Sequence, residues 1–157
     1  MSLRSASLLL AMFILFILPG AVRGADPFVG TWKLNLAESK YDPGPAPKSA
    51  TVKIEASEGG ISYTSEGVDA EGNPTHVEFS AKYDGEDYPV TGSPLAETVA
   101  IKRIDSHTLE VTGKRGEEVV VTSKSVVSKD GKVWTATSTG TDPKSRRFNN
   151  TVVYDKQ

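Results

Sequence analysis

Cysteine is absent from all 157 residues of the chain. A disulfide framework, a thiolate metal site and a lipid anchor attached to a cysteine are therefore excluded. Small exported folds with weak cores usually depend on disulfides, so this chain has to be held together by buried apolar side chains. That requirement favours a continuous core inside one closed or two-layered body.

Histidine is scarce as well, since His76 and His107 are the only two. His76 lies on the polar phase of an alternating segment, and His107 lies in a turn between two such segments. A zinc site needs three or four converging ligands, so no metal site and no cofactor are predicted. The acidic loop at residues 69–73 does not have the spacing of an EF-hand, because Gly72 precedes Asn73 and Pro74 follows.

Motifs for catalysis are also missing. The chain contains no Gly-x-Ser-x-Gly elbow and no phosphate-binding loop. Paired carboxylates leave glycoside cleavage open, although Glu110 alternates with Leu109 and Val111 and is expected to face outward. The prediction is a protein that is not an enzyme.

The chain also has no excess of positive charge. The 18 basic residues include Arg4 and Arg23, and without these two the remaining 16 basic and 20 acidic side chains give a formal charge of −4. A mildly acidic surface without a basic block argues against nucleic acid or anionic lipid as a partner.

The first residues have the three parts of a secretory signal peptide. Arg4 supplies a positive charge, residues 8–18 are uninterrupted apolar side chains, and small residues follow up to Ala25. The apolar segment is well short of the roughly 20 residues that a membrane-spanning helix needs. Residues 1–24 are therefore predicted to be a cleaved signal peptide, and residues 25–157 a single domain that is secreted or periplasmic, without a transmembrane anchor.

The rest of the chain alternates between apolar and polar side chains, which is typical of half-buried β-strands. Nine strands are predicted, and none has a proline in its interior. They lie at residues 28–35, 51–56, 61–64, 76–83, 98–104, 108–114, 119–127, 133–139 and 149–155.

Turn sequences separate neighbouring strands at hairpin distance. They include Gly59-Gly60, Asp84-Gly85, Arg115-Gly116 and Asp130-Gly131. Strands joined by hairpins in chain order form an up-and-down antiparallel sheet, and closure into a barrel removes its exposed edges. The predicted fold is an all-β, lipocalin-like up-and-down barrel, with a two-sheet β-sandwich as the alternative.

The segment FVGTWKL at residues 28–34 resembles the first strand of the calycins, the superfamily of lipocalins and fatty-acid-binding proteins. The segment TVVYDK at residues 151–156 is similar to their closing strand. The chain also resembles small exported bacterial proteins that begin GTWKLN and end VYxKQ. The resemblance implies a barrel that binds a small apolar ligand, with Trp32 closing one end of the barrel.

Two departures from fatty-acid-binding proteins stand out. The resemblance places a helical pair at residues 37–48, but three prolines there make the segment unsuited to helices. The arginine that holds the ligand carboxylate in that family corresponds to Val152, although the family's tyrosine is present as Tyr154. The clamp for a fatty-acid carboxylate is therefore not expected.

The expected function is binding of a small hydrophobic or amphipathic molecule by a monomeric barrel. The alternative is a protein-interaction or inhibitor module of the cell envelope that acts through its loops. Val119 and Val121 are both placed on the inward phase, and Ala136 and Ser138 are small enough to leave space. An interior filled entirely by side chains remains an equal alternative. The candidate ligand-lining residues are Tyr63, Phe79, Tyr83, Ile101, Arg103, Val121, Trp134, Asn150, Val152 and Tyr154.

Overall fold

The computed structural model describes residues 24–157, so the signal-peptide prediction for residues 1–24 lies almost wholly outside the described residues. Ten β-strands follow one another in chain order. They are β1 (Gly30–Leu34), β2 (Ser49–Ser57), β3 (Gly60–Val68), β4 (Pro74–Lys82), β5 (Tyr88–Thr91), β6 (Thr98–Asp105), β7 (Thr108–Arg115), β8 (Glu118–Val127), β9 (Val133–Thr141) and β10 (Arg147–Lys156).

Each strand pairs with its neighbours in sequence, and all pairs are antiparallel. β1 also pairs with β10, with Trp32 opposite Lys156 and Leu34 opposite Tyr154, which closes the sheet into a barrel. The predicted up-and-down barrel is confirmed, and the sandwich alternative is wrong.

The predicted count of nine strands is too low by one, because none of the nine predicted ranges includes β5. β5 has only four residues and includes Pro89, which cannot donate a ladder hydrogen bond. Tyr88 and Pro89 pair with β6, while Val90 and Thr91 pair with β4. A strand this short shows too few alternations to be detected by periodicity.

A β-bulge changes the phase at the start of β8. Gly113 pairs with Val121 and Lys114 pairs with Val119, which leaves Val120 as the extra residue. Val119 is 51% exposed and Val120 only 5% exposed. The placement of Val119 in the interior is therefore wrong, because simple alternation does not continue through a bulge.

The two ends of the barrel differ. The closed end carries the turns after β2, β4, β6 and β8 together with residues 26–29, which come before β1. The loop end carries residues 35–48 and the connections at residues 69–73, 92–97, 116–117 and 142–146. Within residues 35–48, Lys40 pairs with Thr151 and the amide of Asn149 donates to the carbonyl of Asp42. This segment therefore prolongs the contact of β1 with β10.

Gly60 allows β3 and β4 to lie close together. A Cβ at this position would overlap the carbonyl oxygen of Ala81 and lie 2.5 Å from the Cα of Lys82. Both obstacles are backbone atoms, which cannot rotate out of the way as a side chain can.

Gly60→Ala is therefore expected to destabilise the fold by about 1–3 kcal/mol, the usual cost of overpacking. Urea unfolding of the purified chain measures the change. Ser57→Ala is the matched control, because Ser57 is exposed and lies directly opposite Gly60 in the same hairpin. If both variants had the same urea midpoint, the backbone of β4 would not lie as close to Gly60 as the structure places it.

Candidate functional site

Trp32 and Phe28 fill the closed end of the barrel. Trp32 is fully buried, and its indole N–H donates a hydrogen bond of 2.9 Å to the carbonyl oxygen of Phe28. The ammonium of Lys156 lies 4.9 Å from the centroid of the Trp32 ring. The barrel-closing position expected for Trp32 is therefore the one observed.

A polar cluster joins the segment before β1 to the strands at the same end. The carboxylate of Asp26 accepts hydrogen bonds from Tyr83 Oη at 2.6 Å and from Arg103 Nη2 at 2.5 Å. The Arg103 guanidinium also lies over the Tyr83 ring, 4.1 Å from its centroid. Burial and the adjacent Asp26 carboxylate raise the pKa of Tyr83. Arg103 is therefore paired with an acid at the closed end of the barrel.

The lumen contains a cavity of about 230 Å³. Its wall is formed by Phe28 and by side chains from eight strands. Those side chains are Ile54, Ile61, Tyr63, Phe79, Ile101, Leu109, Val111, Ser123, Ser125, Trp134, Ala136, Ser138, Val152 and Tyr154. The cavity shows that side chains do not fill this barrel completely.

Two stacked aromatic pairs stand in the wall. Tyr63 and Phe79 stack with ring centroids 4.6 Å apart, and Trp134 and Tyr154 do so at the same distance. Each pair joins residues directly opposite each other on neighbouring strands. Phe28 meets Trp134 edge to face at 6.5 Å, which connects the cavity to the closed end.

Small polar groups lie on β8 and β9. The Ser138 hydroxyl donates to the Ser123 hydroxyl at 3.0 Å, and Ser125 is buried nearby. Trp134 is 8% exposed, and its Nε1–H has no hydrogen-bond partner among residues 24–157. A buried donor without a partner is costly in a native structure and needs an explanation.

The tyrosines of the cavity are in a weakly solvated environment. Burial raises the pKa of the Tyr63 hydroxyl. Burial also raises the pKa of Tyr154 well above its ordinary value, and the phenols of Tyr63 and Tyr41 add to this rise. Ionisation of either cavity tyrosine would place a negative charge where no cation lines the wall. Both hydroxyls therefore remain neutral at physiological pH.

Six of the ten candidate residues line the cavity, namely Tyr63, Phe79, Ile101, Trp134, Val152 and Tyr154. That these six contact a ligand stays a prediction.

The other four candidates lie elsewhere. Tyr83 and Arg103 belong to the Asp26 cluster. Val121 lies against Gly113 near the loop end, and Asn150 Oδ1 accepts a hydrogen bond of 3.1 Å from the amide of Asp42. None of the four lines the cavity, because Tyr83 and Arg103 lie at the closed end and Val121 and Asn150 lie towards the loop end.

Sequence reasoning missed Phe28, Ser123 and Ser125 as lining residues. Ser123 and Ser125 alternate in step with Val121 and Val127 on β8, so the alternation of this strand could have placed both serines on its inward face. The space expected beside Ala136 and Ser138 is present.

The side chains that line the cavity are aliphatic, aromatic or serine side chains. No charged side chain lines it, and no group of three His, Cys, Asp or Glu residues in the described part of the chain could hold a metal ion. His76 lies on the outer surface between Glu66 and Glu78. Residues 24–157 include no helix that is long and apolar enough to cross a membrane.

No protein-family model matches the chain, and no curated protein matches it significantly. Among solved structures, it is similar to zebrafish ileal bile acid-binding protein complexed with cholic acid, with a TM-score of 0.51 and 10% sequence identity. The match covers 83% of this chain and 99% of the zebrafish chain. At this identity the likeness concerns the fold alone, a closed antiparallel β-barrel.

Proposed function

We propose that the chain is an exported, monomeric binding protein that holds one small, neutral, hydrophobic or amphipathic molecule inside the barrel. The observation that carries this proposal is the cavity of about 230 Å³ with stacked aromatic walls and no charged lining residue. An apolar cavity with a few polar groups is the usual form of a small-molecule site.

The signal-peptide pattern at residues 1–24 supports export, and the fold supports binding of a ligand inside the barrel. The barrel is of the same type as that of a protein solved with cholic acid. This cavity is below the usual range of about 300–1,000 Å³ for ligand pockets, so a ligand smaller than a drug-sized molecule is expected. A closed barrel leaves no unpaired strand edge for association, which supports a monomer.

Solvent extraction of the purified protein, followed by mass spectrometry, tests the proposal directly. A small neutral molecule in stoichiometric amount is expected. Ala136→Leu should abolish its recovery, because Ala136 lines the cavity and leucine would occupy part of that volume. Thr137→Leu is the matched control, since Thr137 is the exposed neighbour of Ala136 on β9.

An empty barrel, together with a protein partner recovered through the loop end, would contradict the proposal. That outcome would favour the interaction-module alternative instead.

Methyl octanoate is expected to bind at least as well as octanoate at neutral pH, measured by displacement of a fluorescent probe. A buried carboxylate without a paired cation is very costly, and the Arg103 cation is already paired with Asp26. Arg103→Gln should therefore leave the ratio of the two affinities unchanged.

A strong preference for octanoate that disappears in Arg103→Gln would make Arg103 the anchor and refute this prediction. A preference that persists in the variant would require another cation, such as Arg146 or Arg147 at the loop end.

A further inference from the structure

Four small side chains occupy adjoining inward positions on β8 and β9. Ser123 lies directly opposite Ser138, and Ser125 lies directly opposite Ala136. All four line the cavity, and the rest of its wall consists of larger aliphatic and aromatic side chains. Small side chains leave space that larger ones would fill. A molecule in the cavity is therefore expected to lie against these four residues, which we call the β8–β9 block.

The serine hydroxyls of the block lie at the surface of the cavity. The oxygen of a serine is bonded directly to Cβ, so the inward face of the strand determines where the hydroxyl lies. The Ser138 hydroxyl donates to the Ser123 hydroxyl at 3.0 Å, which places both oxygens side by side. Ser125 is buried beside them. The block is thus a polar area in a wall that is otherwise mostly apolar.

This side of the cavity has hydrogen-bond donors without acceptors. Ser138 uses its only hydrogen in the bond to Ser123, so the hydrogen of the Ser123 hydroxyl remains to be donated. Trp134 is the next inward residue of β9 beside Ala136, and its Nε1–H has no partner in the described part of the chain. Among residues 24–157, no carboxylate or amide side chain lines the cavity to accept from either group. A ligand oxygen with a free lone pair would supply the missing acceptor.

The stacked pair of Tyr63 and Phe79 faces the β8–β9 block across the lumen. The pair belongs to β3 and β4, which are five positions away from β8 and β9 in the closed order of ten strands. Both the pair and the block line the same cavity. A molecule between them therefore has aromatic rings on one side and small, partly polar side chains on the other.

We infer that the barrel selects a compact, uncharged molecule with one acceptor oxygen, and that this oxygen binds to the hydroxyls of Ser123 and Ser138 while the apolar part packs against Tyr63 and Phe79. The inference rests on the proposed binding function and adds the orientation of the ligand and the residues that select it. The molecule is uncharged because no cation among residues 24–157 lines the cavity. A cavity of about 150 Å³ can hold benzene, so about 230 Å³ has room for one ring with a short substituent.

Acetophenone and isopropylbenzene test the inference with the purified protein, because they have nearly the same shape and differ by one oxygen atom. Displacement of a fluorescent probe at neutral pH gives the affinity for each. The measured quantity is the ratio of the two affinities in each variant. Isopropylbenzene is the more hydrophobic of the two and gains more on transfer from water to any apolar site, so a single affinity would not report on the serines.

The double variant Ser123→Ala/Ser138→Ala removes both hydroxyls and changes the volume of the cavity little. It is expected to weaken acetophenone binding by roughly three- to tenfold, the effect of one hydrogen bond, without weakening isopropylbenzene binding. Both serines are replaced together, because Ser138 alone would be free to donate to the ligand. Ser62→Ala/Ser80→Ala is the matched control. It removes an exposed pair of hydroxyls 2.8 Å apart and should leave both affinities unchanged.

The indole N–H signals in ¹⁵N–¹H NMR spectra report where the ketone binds. The chain has two tryptophans. The Trp32 N–H is bonded to the carbonyl oxygen of Phe28, whereas Trp134 lines the cavity. Acetophenone is therefore expected to shift the Trp134 signal more than the Trp32 signal. If the Trp134 signal does not move, the ketone lies outside the cavity and the inference is wrong.

A ratio of affinities that is the same in the original chain and in Ser123→Ala/Ser138→Ala would overturn the inference while the binding function stands. A charged molecule in the solvent extract, or one without oxygen, would also overturn the inference. If neither probe binds to the original chain, the inference fails, and the proposed function fails with it only if the solvent extract is empty as well.

Discussion

Replacing Trp32 by alanine is expected to lower the free energy of unfolding by about 3–5 kcal/mol, the range for deleting a buried large aromatic side chain. Trp32 is fully buried and meets Trp134 edge to face, with ring centroids 5.8 Å apart. The change would also leave the carbonyl oxygen of Phe28 without its indole donor. Urea unfolding followed by circular dichroism measures the loss.

Leu36→Ala is the control for Trp32→Ala, because Leu36 is 43% exposed and lies outside the strands. A change within about 0.5 kcal/mol is expected there, as for most surface substitutions. Similar urea midpoints for the two variants would show that Trp32 contributes little to the stability of the barrel.

Alkaline pH is expected to destabilise the barrel strongly, because the pKa values of Tyr63 and Tyr154 are raised in the folded state. Below the unfolded-state value of about 10, both states keep these phenols protonated and stability does not depend on them. Above pH 10 the unfolded chain loses protons that the folded chain retains. Each of the two phenols then removes up to about 1.4 kcal/mol of stability per pH unit, until its folded pKa is reached.

The absorbance of tyrosinate and the circular dichroism signal, followed together from pH 8 upward, measure this effect. Ionisation of the buried tyrosines is expected to coincide with unfolding. Burial also raises the pKa of Tyr41 to about 12, so this residue should contribute to the same loss between pH 10 and 12. The double variant Tyr63→Phe/Tyr154→Phe should lose less stability per pH unit above pH 10. Complete titration near pH 10 in a chain that stays folded would mean that these hydroxyls are exposed.

The elements that sequence reasoning found and missed differ in length. β4 and β10 run for nine and ten residues, and their alternation is visible over several periods. β5 has four residues and was missed, since its hydrogen bonds depend on β4 and β6 and leave little trace in local sequence. The bulge at Val120 has a similar cause, because the partner strand determines where an extra residue is accommodated.

The candidate site shows the same division. Tyr63 and Tyr154 were correctly placed on the inward phase, because a strand alternates its side chains between two faces. Alternation shows which face of the sheet a side chain lies on, but it does not show how far along the barrel axis the side chain lies. Arg103 was therefore assigned to the lumen, although it lies at the closed end beside Asp26, 77 residues earlier in the chain.

The sequence by itself determined the all-β class, the antiparallel hairpin order and the inward face of most strands, because each depends on backbone periodicity and on local turn chemistry. The tertiary structure alone decided two other features: the closure of ten strands around a cavity, and the pairing of Arg103 with Asp26. These features depend on how far residues from distant strands lie from one another across the barrel. Such distances are set by the register of every strand together, and no local segment of the chain encodes them.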